Sequence, residues 1–165
     1  MNFKNAQELL SLCDDSGCLI SEIMIRRECD EGETSREAVL RKMERALEIM
    51  KHSARSAIRE SHRSMGGLIG GEAQRISAYA DNEKSACGSL MSRAIAYAMG
   101  VLEVNAEMGL IVAAPTAGSA GVVPGVLLSL QDEYGFTDDQ LVTALFHAAA
   151  IGYLAMRNAT VAGAV

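Results

Sequence analysis

The residues best placed to do chemistry are two hydroxyls in a glycine loop. Thr116 and Ser119 stand in Ala114-Pro115-Thr116-Ala117-Gly118-Ser119-Ala120-Gly121, inside an uncharged run from Gly109 to Leu128. Gly118 and Gly121 let backbone N–H groups approach a ligand closely. Pro115 biases Ala114 toward an extended conformation, so a buried helix or strand over Leu110–Ala113 is expected to stop there. Pro124 suits the first turn of a helix running through Leu130, where its missing N–H costs nothing. A hydroxyl-bearing glycine loop feeding a helix N-terminus fits a carboxylate or phosphate. The same residues also fit a plain turn between two core helices, with Gly and Ala serving close packing. Pro115, Pro124 and the glycines argue against a membrane span.

A second glycine loop is Gly66-Gly67-Leu68-Ile69-Gly70-Gly71. It reads either as a flexible carrier of backbone donors or as a hinge between N-terminal helices and a core. Asn105 is a third candidate, a polar residue with apolar neighbours expected on both flanks, which invites a ligand or a buried hydrogen-bond network. His52, His62 and His147 read as surface or satisfied core histidines. The four cysteines, Cys13, Cys18, Cys29 and Cys87, form no C-x-x-C and no recognisable cluster-ligand run. The first three sit in a region that reads as amphipathic helix, so core or half-buried thiols are favoured over metal ligation.

The elements that must position these residues read as helices. Asn5 and Glu8 form a capping box ahead of Leu9, Leu10 and Leu12, and Asp14–Gly17 ends that helix. A second helix from Cys18 carries Leu19, Ile20, Ile23 and Met24 on one stripe. Thr34 and Glu37 open the most regular helix, with Val39/Leu40, Met43, Leu47, Met50, Ala54 and Ile58 at three- and four-residue intervals. Glu72 begins a helix lasting to Ala80, and 81–84 is a turn. A long helix over Leu90–Met108 is expected to bury Met91, Ile95, Ala98/Met99, Leu102 and Ala106. Tyr134-Gly135-Phe136 closes the helix after the hydroxyl-bearing loop, and Thr137 and Gln140 cap a last, Ala-rich helix from Leu141 to Met156.

Composition supports an all-α domain. Apolar residues make up 49% and aromatics 4%, with no Trp, so the core rests on Ala, Leu, Ile, Val and Met. The net charge of −6 and the lack of a basic cluster make nucleic acid or an anionic membrane an unsuitable partner. No signal peptide is visible, and a cytoplasmic protein with reduced thiols is expected.

Ala114 to Gly125, APTAGSAGVVPG, closely resembles the signature loop of the α chain of bacterial iron–sulfur L-serine dehydratase. Glu103-Val104-Asn105-Ala106-Glu107-Met108-Gly109 is similar to that family's approach to the loop. Gly67-Leu68-Ile69-Gly70-Gly71-Glu72-Ala73 is similar to its Gly-Leu-Thr-Gly-Gly-Asp-Ala, and Ile20–Met24 and Ser35–Glu37 also match. The resemblance implies a β-elimination: L-serine loses its hydroxyl and an α-proton, and the aminoacrylate hydrolyses to pyruvate and ammonia. It implies a 4Fe-4S cluster whose open iron acts as a Lewis acid, and a β chain usually credited with proton abstraction. It also implies substrate binding by Gly70, Gly71, Asn105, Thr116, Ala117, Gly118 and Ser119.

Two departures stand out. Ile69 replaces the family's Thr and loses a hydroxyl. The sequence stops at Val165, where the family continues into a Gly-Gly-Cys ligand motif, so the expected cluster ligands are missing. The resemblance therefore gives 1–63 as an N-terminal helical region and 64–165 as the N-terminal part of a catalytic domain. Such a chain is expected to be inactive alone, to self-associate, and to need the C-terminal half of the α chain and a β chain. The alternative is a non-catalytic helical ligand-binding or assembly module.

Overall fold

The computed structural model describes residues 2–60, 63–80 and 85–159. Within them the chain is all-α: α1 (Ala6–Ser16), α2 (Ile20–Glu31), α3 (Arg36–Arg59), α4 (Glu72–Ala80), α5 (Gly88–Ala106), α6 (Val122–Tyr134) and α7 (Asp138–Asn158), with a 3-10 turn at Ala117–Ser119. No strand occurs among the described residues. The expected turn at 81–84, His62, and the last residues from Thr160 on lie outside the described residues.

The described residues form two compact units, one from 2–47 and 138–159, the other from 48–137. In the first, α2 packs on α1 and α7. Asn5 caps α1 by accepting a hydrogen bond from the Glu8 N–H at 2.9 Å, and Gly17 ends it in the left-handed region at φ 62°. Phe3 is fully buried and meets the Tyr153 ring edge-on at 5.2 Å, while the Arg27 guanidinium lies 3.8 Å from that ring's centre. Leu9, Ile23, Leu141, Leu145 and Phe146 complete this core.

Two expectations are corrected here. The first turn of α3 is capped by Ser35, whose Oγ accepts the Ala38 N–H at 3.2 Å, one residue after the expected Thr34. Leu19 does not join the α2 stripe; it sits before the helix and is exposed.

The second unit holds the candidate loops. Here α5 packs on α4 and on α6. Its contacts use small residues rather than long apolar ones. A Cβ at Gly100 would lie 2.5 Å from the Ala54 carbonyl oxygen, and one at Gly121 would press into the Ala98 carbonyl. Such backbone proximity leaves little room for larger side chains. The buried face of α5 is accordingly Ser92, Ala96, Tyr97, Gly100, Val101, Glu103 and Val104. Met91 and Ile95, expected inside, are exposed. The buried stripe is turned by about one residue, roughly 100°, from the one hydropathy suggests.

Candidate functional site

The Gly66–Gly71 stretch is a hydrogen-bonded turn rather than a loose loop. The Ser64 N–H donates to the Ile69 carbonyl at 2.8 Å, the Ile69 N–H to Ser64 Oγ at 3.1 Å, and the Gly67 N–H to the Ser64 carbonyl at 2.8 Å. Gly70 and Gly71 have φ of 153° and 84°. Side chains rarely adopt such backbone angles, so these two positions call for glycine.

Two carboxylates hold this turn. The Gly70 N–H donates to Glu72 Oε2 at 2.6 Å. The Gly71 and Ala73 N–H groups donate to the two oxygens of Glu103, at 3.1 and 2.7 Å. Glu103 is on α5 and only 1% exposed. Its acceptors satisfy amides at the start of α4 that no turn of the helix can satisfy, at the end where the helix dipole favours negative charge. The Gly70 N–H holds the Glu72 carboxyl below the usual range, helped by its own N–H and by Arg75 at 2.8 Å. Hydropathy reading passed over Glu103 because an acid on a helix reads as exposed. Its only sequence mark is its place in the segment before Asn105.

The α5 helix ends in a reversed turn. The Gly109 N–H donates to the Val104 carbonyl at 2.8 Å, and Met108 adopts φ 68°. A non-glycine residue held there costs about 1–2 kcal/mol, and such positions concentrate at functional sites. Residues 109–113 are neither helix nor strand, and Leu110 is exposed, so the buried element expected over Leu110–Ala113 is absent. The α5 helix stops at Ala106 and the chain crosses to the loop in irregular backbone. Ile111 turns inward, against the cluster of Ala57, Ala73 and Val104.

The Thr116–Ser119 loop is self-bonded. The Ala114–Pro115 peptide is cis. Thr116 Oγ1 and Ser119 Oγ are 3.1 Å apart, and the Thr116 N–H donates to Ser119 Oγ at 3.4 Å. Ser119 Oγ also lies 3.2 Å from the Ala114 carbonyl and 3.3 Å from that of Thr116. Ala117 and Gly118 form the 3-10 turn between them. Ala120, Pro124 and Leu128 then go into the core, while Val122 and Val126 are exposed.

Both loops are thus fastened to α5, the glycine turn at Glu103 and the exit of the hydroxyl loop at Ala98. Five residues separate the two attachments, about 7.5 Å along the helix axis and about 140° around it. Asn105, seven residues after Ala98, returns to within about 20° of the same side of the helix. It is half-buried. The Arg55–Asp132–Tyr97 cluster joins α3, α6 and α5. Arg55 reaches Asp132 at 2.9 Å, the Tyr97 hydroxyl donates to the same carboxylate, and both line a groove of about 250 Å³ with Arg59 and Arg93. His147 Nδ1 lies 2.9 Å from the Thr143 carbonyl, and His52 lines a surface groove along α3.

The cysteines do not fit an iron–sulfur cubane. Cys13, Cys18 and Cys29 are half-buried and Cys87 is exposed at the start of α5. Cys18 Sγ accepts from Arg26 at 3.4 Å. Burial, together with Asp14 and Cys18, pushes the Cys13 thiol up, away from the thiolate a metal needs. Among the described residues no three of His, Cys, Asp and Glu converge as a metal would require. No helix among them is long and apolar enough to cross a membrane.

An all-helical protein carrying a carboxylate-braced glycine turn and a paired-hydroxyl loop on one scaffold helix is a class defined by its loops. The family model described as serine dehydratase alpha chain matches residues 15–165, and the chain belongs to that family. It is 38% identical to the probable L-serine dehydratase alpha chain of Bacillus subtilis over 98% of its own length and 54% of that protein's. It is 33% identical to the L-serine dehydratase alpha chain of Peptoniphilus asaccharolyticus over 96% of its length and 54% of that chain. The L-serine dehydratase of Streptomyces coelicolor is 33% identical, with 98% of this chain and 36% of that protein aligned. The chain therefore spans about half the length of the alpha chains it matches.

Proposed function

We propose that this chain supplies the substrate-holding loops of an L-serine ammonia-lyase. L-serine would lose its β-hydroxyl and α-proton, and the resulting aminoacrylate would hydrolyse to pyruvate and ammonia. In this reading residues 64–165 are the N-terminal part of the α chain's catalytic domain, and 1–63 a helical region ahead of it. Gly70, Gly71, Asn105 and the Thr116-Ala117-Gly118-Ser119 loop surround the amino acid. The iron–sulfur cluster of this reading takes its ligands from outside the described residues. The enzyme works in the cytoplasm.

The observation that carries the reading is the attachment of both loops to one helix, in a chain of this family. Glu103 holds Gly71 and Ala73, and Gly121 lies on Ala98. One helix thereby serves as the common scaffold of both loops and of Asn105.

The surface around the loops supports a partner. Leu68 is 91% exposed and Met108 81%, and Met65 and Leu110 are also exposed. Exposed apolar side chains on both loop segments are available for a partner to cover. The partners of this reading are the remaining half of the α chain and a β chain, with self-association of the chain in their absence. Amide NMR during titration with L-serine tests the site: shifts at Gly70–Gly71 and Thr116–Ser119 are expected. Shifts confined elsewhere would contradict it.

A further inference from the structure

We infer that Glu103 is a positioning residue that sets the shape of the Gly70–Gly71 turn from inside the protein, without touching substrate. The inference rests on the serine dehydratase reading.

A carboxylate at 1% exposure is costly unless its oxygens are bonded. Both oxygens of Glu103 are bonded, and to the backbone of a segment 30 and 32 residues earlier in the chain. An ordinary helix cap is local, and α4 already has a local acid in Glu72, which takes the Gly70 N–H. The long-range tie does something a local cap cannot. It fixes the turn against α5, two residues before Asn105 and five before the left-handed Met108 that turns the chain toward Thr116. Ala73, fully buried against Ala57 and Val104, closes the other side of this joint.

The tie also decides how the turn meets a ligand. The N–H groups of Gly70 and Gly71 are engaged by Glu72 and Glu103. The turn's part in recognition is therefore its contour, two residues without side chains held at φ angles that only glycine adopts readily. Releasing the Glu103 tie frees the contour without removing any atom that faces substrate.

The test uses the complete enzyme containing this chain, with Glu103→Gln and Glu103→Asp. Gln keeps the size and accepts one amide, but its own N–H₂ meets the other donor. Expected for Glu103→Gln is a KM for L-serine raised by about tenfold or more, with kcat within about threefold, since the loss is in binding. Glu103→Asp keeps the carboxylate one methylene short and is expected to recover part of the KM. Hydrogen exchange of the same enzymes, read on peptides spanning 64–75, is expected to rise in Glu103→Gln while peptides of α5 stay unchanged. Wild-type KM and kcat in Glu103→Gln, or a 64–75 segment as open to exchange in the wild type as in the variant, would overturn the inference. If the wild-type enzyme makes no pyruvate from L-serine, the functional reading falls instead. The exchange difference would still stand or fall by itself.

Discussion

Gly125 of α6 lies so close to Ala94 of α5 that a Cβ on it would stand 2.7 Å from the Ala94 carbonyl oxygen and 3.2 Å from the Ala98 Cβ. Neither neighbour can yield, since one is backbone and the other the shortest of side chains. This contact, with Gly121 on Ala98 one turn earlier, sets how the signature loop leaves the core. Gly125→Ala is therefore expected to destabilise the chain by about 1–3 kcal/mol, the usual cost of overpacking. A lowered denaturant midpoint at unchanged slope checks it. A midpoint equal to the wild type would show that α6 is free to move away.

Gly152 is the opposite case. It lies inside α7 with open space around its would-be Cβ. Gly152→Ala is expected to stabilise by about 0.5–1 kcal/mol through helix propensity alone. The midpoint should rise; a fall would reveal a neighbour in that space.

Tyr97 gives a pH signature. Burial, and then the bond to Asp132, pushes its hydroxyl above the ordinary tyrosine value. The folded state thus favours the neutral phenol, and its contribution is fully present below about pH 10, where unfolded tyrosine ionises. It is lost as pH rises through the higher folded value. Wild-type stability should fall above about pH 10 more steeply than that of Tyr97→Phe. Identical alkaline profiles would place the titration elsewhere.

Ser119 joins three parts of the loop through one oxygen, reaching Thr116 Oγ1 and the carbonyls of Ala114 and Thr116. Ser119→Ala is expected to cost about 1 kcal/mol of stability. In the complete enzyme it should also raise the KM for L-serine. Unchanged stability and kinetics together would remove the loop from the account.

Periodicity carried the helices well and the buried faces less well. The helix order, the Asn5 cap, the left-handed stop at Gly17 and the closing of α6 at Gly135 all follow from local chemistry, and local chemistry is written in neighbouring residues. The face of α5 is different. Met91 and Ile95 suggest one side, but α4 and α6 approach on the Ala, Gly and Ser side, because close backbones exclude large residues. The glycine motifs mark the loops by composition. What braces them does not show: Glu103 finds its partners in backbone N–H groups thirty residues away, which carry no residue-type signature. The cap on Ser35 rather than Thr34 is a smaller instance, two adjacent hydroxyls with equal claim until the backbone chooses.

The most direct measurement of the central claim is pyruvate formation from L-serine under anaerobic conditions with iron and sulfide supplied. The chain is assayed by itself, and with a C-terminal α half and a β chain from a relative. Pyruvate is expected only when the complementing parts are present, and that activity is expected to be lost when Glu103→Gln, Gly71→Ala and Ser119→Ala are combined. Stoichiometric cluster uptake with turnover by the chain alone would contradict it, as would a complemented enzyme indifferent to the triple substitution.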